Sequence, residues 1–86
     1  MATRETVIGS FVEGARVRAA ALTALAQAIG AEPLVLDVRT ALAADPPPVR
    51  ADAPDVLSAL RATYAAQERA VIMIATSLDR LQPIKP

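Results

Sequence analysis

Ile8, Val12, Ala15, Ala19, Leu22, Ala26 and Ile29 follow one another at alternating steps of four and three. That period places side chains on one face of an α-helix and on no single face of a strand. The same rhythm returns in Leu57, Leu60, Tyr64, Gln67, Val71, Ile74, Leu78 and Leu81, with heptad-like spacing up to Pro83. A chain written this way must bury helix faces. The first helix is expected over about 4–30, with Gly30 as its C-terminal cap and Pro33 just beyond. The last is expected over about 53–81, opened by Asp52 as an acidic cap, Pro54 in the first turn and Asp55 near the positive end of the helix dipole.

Between them, Leu34-Val35-Leu36 could begin a strand, whereas Val35, Val38, Ala41 and Leu42 suit a short helix over about 34–44. The helix is the better reading, because a lone strand has no partner in this sequence and Pro33 is favourable in a first turn. Asp45-Pro46-Pro47-Pro48 then imposes an extended, donor-poor connector over 45–51. The expected architecture is all-α and a single domain over 1–86. Its two long helices form an antiparallel hairpin with a short middle helix, completed to a four-helix bundle by dimerisation.

A chain of 86 residues buries a modest share of its surface, and small folds are commonly reinforced by disulfides, metals or self-association. This sequence has no Cys and no His, which leaves self-association. Nine basic and nine acidic side chains cancel without a cationic run, so nucleic acid is not an expected partner. The uncharged stretch from Ala19 to Ala31 is too short to span a bilayer, and the N-terminus does not read as a secretory signal. The expected compartment is cytoplasmic, with signal-less export left open.

No catalytic residues, metal ligands or cofactor-binding motif are read from the sequence. Asp52 and Asp55 form its close acidic pair, and helix capping accounts for both. The informative feature is a second apolar face. Val17, Ala21, Ala24 and Ala28 fall opposite the first stripe of helix one, and Ile72 and Met73 point away from the stripe of the last helix. These six are the expected interface residues. Phe11 and Tyr64 are expected in the core, and either one, if exposed, would be an interface anchor. Gln67 interrupts an apolar stripe, and an antiparallel register brings Arg18 to Glu68 with Gln67 nearby as an interhelix polar contact.

The reading is therefore a non-enzymatic protein-protein interaction or assembly protein, partnered by itself as a dimer or higher homo-oligomer, or by another protein. The alternative is a subunit of a larger assembly: a secretion filament, a phage or virus-like particle, or an enzyme complex. The length, the two long helices and Leu42-Ala43-Ala44-Asp45-Pro46 before a proline-containing turn carry a limited resemblance to the needle subunits of type III secretion systems. That resemblance implies a helical hairpin polymerising through both helices. The longer connector, and Pro83 and Pro86 in the tail, depart from the family's pattern.

Overall fold

The computed structural model describes residues 2–81 and contains three helices, α1 (Arg4–Ile29), α2 (Glu32–Ala44) and α3 (Val56–Arg80), with no strand among the described residues. Pro83 and Pro86 lie outside the described residues.

α1 begins where the Thr3 hydroxyl accepts a hydrogen bond from the Thr6 amide at 3.1 Å, satisfying a donor that the first turn leaves unpaired. It ends at Gly30, whose φ of 84° is left-handed and whose amide donates to the Gln27 carbonyl. No atom lies within 4 Å of a methyl group added at Gly30. Gly30→Ala is therefore a test of backbone conformation alone. It is expected to cost about 1 kcal/mol and to lower the melting temperature by about 4–8 °C, read by thermal circular dichroism.

Pro33 sits in the first turn of α2. α3 starts later than its sequence signals suggest. The Asp52 carboxylate is held by the Arg50 guanidinium at 3.0 and 2.7 Å, and Ala51–Asp55 form turns. Asp55 occupies the cap position of α3 without a side-chain capping bond. Asp52 is thus diverted from capping by a cation two residues before it. Arg50 also holds the Asp52 carboxyl below its ordinary range, through the hydrogen bond first and the charge second. The resulting contribution to stability is present above the ordinary carboxylate range and lost as pH falls through the lowered value. Because the pair is exposed, that contribution is small.

Two apolar clusters fix how the helices run. Ile8, Val12 and Ala15 of α1 pack with Val56 and Leu60 of α3, joined by Ala51 and Ala53 of the connector. Ala26 of α1 packs with Leu34 and Val38 of α2 and with Ala70 and Ile74 of α3. Early residues of α1 meet early residues of α3, and late residues meet late ones, so the two long helices are parallel. α2 runs antiparallel to both. This corrects the expected antiparallel hairpin of α1 and α3.

The reason lies in the middle of the chain, which reverses direction twice. α2 descends along one half of the long helices and the connector completes the descent. That connector is held by Arg16, whose Nη2 donates to the Val49 carbonyl at 2.8 Å and the Pro48 carbonyl at 3.4 Å. Thr63 fixes its other end, with Oγ1 donating to the Pro46 carbonyl at 3.1 Å or the Ala59 carbonyl at 2.9 Å. Ala15, Ala26, Ala66 and Ala70 are wholly buried, and their small side chains let the backbones approach closely.

The result is elongated and thin, 52 × 27 × 15 Å with a radius of gyration of 15.3 Å. A compact chain of this length would have a radius near 12 Å. Among the described residues no helix is long and apolar enough to cross a membrane.

Candidate interaction surface

α2 and the connector cover one side of the α1–α3 pair, and the opposite side is open. The heptad stripe of α3 shows the consequence. Leu60, Gln67 and Ile74, spaced by seven, are buried, while Leu57, Tyr64, Val71 and Leu78, also spaced by seven, are 50, 39, 48 and 46% exposed. In a completed coiled-coil seam both sets would be covered. Facing the exposed set across the opening are Phe11 and Leu25 of α1, also exposed. Both rings therefore lie on the rim of this groove, outside the core expected for them. α3 fills its inner side instead with Ala59, Thr63, Ala66 and Ala70, a run of small residues that admits α2 and the connector.

The middle of the groove is a cavity of about 430 Å³, lined by Arg18, Ala21, Leu22 and Leu25 of α1 and by Tyr64, Gln67, Glu68 and Val71 of α3. A smaller hollow of about 230 Å³ continues it towards the start of both helices, between Phe11, Leu57, Leu60, Arg61 and Tyr64. Apart from Arg61 in the smaller hollow, the charged and amide groups lie at its centre. Gln67 is buried, with Nε2 donating to the Ala15 carbonyl at 2.8 Å and Oε1 accepting from Arg18 Nε at 3.2 Å. The Arg18 guanidinium stacks over the Tyr64 ring, 4.6 Å from its centroid, where the negative face of the ring attracts the cation. A methyl group added at Gly14 would come within 3.2 Å of Arg18 Nη1, so the missing side chain there gives the guanidinium its room.

Glu68 lines the same cavity, but no ion pair joins it to Arg18, and among the described residues it takes part in no salt bridge. The expected Arg18–Glu68 contact within one chain is thus replaced by Arg18–Gln67 and Arg18–Tyr64. Arg18 and Gln67 sit near the middles of α1 and α3, where parallel and antiparallel registers bring the same residues together. Their proximity therefore does not depend on the direction of α3.

The six expected interface residues do not form one surface. Ala21 lines the groove. Ala24 lies beside a shallow depression between α1 and α2, with Arg39, Leu42 and Ala43. Ile72 and Met73 border a different hollow with Pro33, Leu34 and Asp37 of α2. Val17 and Ala28 are exposed and line none of these. The signal that would have found the groove was present as the two sevenfold series within the α3 stripe; which of them is open depends on where α2 and the connector pack. Among the described residues no three of His, Cys, Asp and Glu converge on a point that could hold a metal ion. No protein-family model, curated protein or solved structure matches this chain.

Proposed function

We propose that the chain is a non-enzymatic helical assembly protein that self-associates through apolar helix faces. The open side of its α1–α3 pair closes on a second copy, so that four long helices form a bundle core with α2 and the connector outside it. The observation that carries this reading is the half-covered heptad stripe of α3, with Leu57, Tyr64 and Val71 left open on a continuous groove and Leu78 exposed beyond it. Covering the remaining apolar surface of each such side chain is worth on the order of 1 kcal/mol.

The surface area points the same way. The chain exposes 6075 Å², against about 4,900 Å² for a compact monomer of its mass. The excess is larger than the roughly 800 Å² that each partner buries in a stable interface. A second reading, a subunit of a larger assembly such as a secretion filament or an enzyme complex, draws on Val17, Leu36 and Ile72, which are exposed away from the groove.

Light scattering across a dilution series, with helicity followed on the same samples, tests the proposal. The expected result is a discrete dimer whose helix content and melting temperature fall on dilution. A monomer at every concentration would remove self-association, and an open-ended series of larger species would favour the second reading.

A further inference from the structure

The middle of the groove at the centre of the proposed self-association carries one cation and one anion, Arg18 and Glu68, and their placement determines how two copies can meet. Two grooves set face to face are related by a two-fold axis that runs either across the helices or along them. With the axis across them, α1 lies antiparallel on the partner's α1 and α3 on the partner's α3. A centred contact of that kind puts Arg18 against the partner's Arg18 and Glu68 against the partner's Glu68. Like charges brought together in an apolar contact oppose association strongly.

With the axis along the helices, α1 lies parallel on the partner's α3. Arg18 and Glu68 line the same middle stretch of the groove, so each Arg18 then faces the partner's Glu68, and two such pairs form. We infer that the chain forms a parallel, two-fold symmetric dimer in which α1 of each copy packs on α3 of the other, selected by reciprocal Arg18–Glu68 ion pairs. This rests on the self-association reading above and adds to it the direction and register of the partner.

Side-chain size agrees with the same register. Three residues after the ion pair on both helices, Ala21 meets the partner's Val71, both of them lining the groove. There a small residue opposes a large one, as interdigitating helices require. The Arg18 side chain is already ordered for the contact. Its stacking on Tyr64 and its bond to Gln67 hold the guanidinium in the groove, so less conformational freedom is lost when the partner's carboxylate arrives. Glu68 has no competing salt bridge among the described residues.

The test exchanges the charges. Arg18→Glu and Glu68→Arg each place like charges at both reciprocal contacts, and each alone is expected to weaken association at least about tenfold. An equimolar mixture of the two variants restores opposite charges at both contacts of the mixed dimer, and is expected to associate as the unaltered chain does. Direction is read separately on chains with Arg18 and Glu68 intact. Because the sequence has no cysteine, a single dye can be attached at Glu5→Cys, near the start of α1, or at Asp79→Cys, near the end of α3.

In the parallel dimer, energy transfer between two copies labelled at position 5 exceeds transfer between one labelled at 5 and one labelled at 79. In an antiparallel dimer the order reverses. A dimer whose mass is indifferent to the charge exchanges, whose mixture does not recover, or whose transfer order is reversed overturns the parallel register and leaves self-association standing. A wild-type chain that stays monomeric overturns both. If a charge variant loses its helix content, the transfer order decides alone.

Discussion

Replacing Ile74 by alanine is expected to remove about 2–5 kcal/mol of stability, while Ile72→Ala, two residues earlier on the same helix, changes it by no more than about 0.5 kcal/mol. Ile74 is 3% exposed at the junction of all three helices, against Ala26, Leu34, Val38 and Ala70. Ala26 and Ala70 are wholly buried and small. They already allow close backbone contact, so the structure has little room to collapse into the space that the lost side chain leaves. Ile72 is 58% exposed and leaves no cavity. For a chain of this length the whole stability is of the order of 4–13 kcal/mol, so the Ile74 variant is expected to be substantially destabilised. Urea denaturation followed by circular dichroism, at one fixed protein concentration because self-association shifts the midpoint, checks the contrast. Equal losses at the two positions would mean that α3 presents a different face to α1 and α2.

That contrast also shows what could be read from the sequence. The fold class was legible because helical period, Gly30 and Pro33 are local signals, each acting within a turn or two of its own position. The direction of α3 was not. It depends on the number of chain reversals between Gly30 and Val56, and therefore on Arg16 and Thr63 binding connector carbonyls from helices far away in sequence. The start of α3 failed for a related reason. Asp52 is a good cap residue by type, but Arg50 claims its carboxylate. For the surface, the small-residue face of α1 drew attention to Val17, Ala24 and Ala28, although alanines inside the fold and alanines outside it read alike. The groove was written instead into the large residues: Leu57, Tyr64, Val71 and Leu78 continue a coiled-coil pattern that only half of the monomer's packing uses.

If that pattern is the interface, Val71→Glu is expected to lower the association constant by about a hundredfold or more, because it buries a second carboxylate beside Glu68, with Arg18 the one cation in that cavity. Val71 is half-exposed in the single chain and glutamate is the better helix former, so helix content at low concentration should be retained. Ala24→Glu is the control. Ala24 is exposed beside α2, near Arg39, where an added carboxylate stays hydrated and has a cation at hand. Under the groove reading this variant keeps the wild-type mass across the dilution series. The opposite pattern, with Ala24→Glu dissociating the protein and Val71→Glu leaving it intact, would move the interface to the outward face of α1 and favour a role as one subunit of a larger assembly. Loss of association in both variants, with helix content unchanged, would mean that the copies contact one another on both sides of α1, as a ring or filament does and a closed dimer does not.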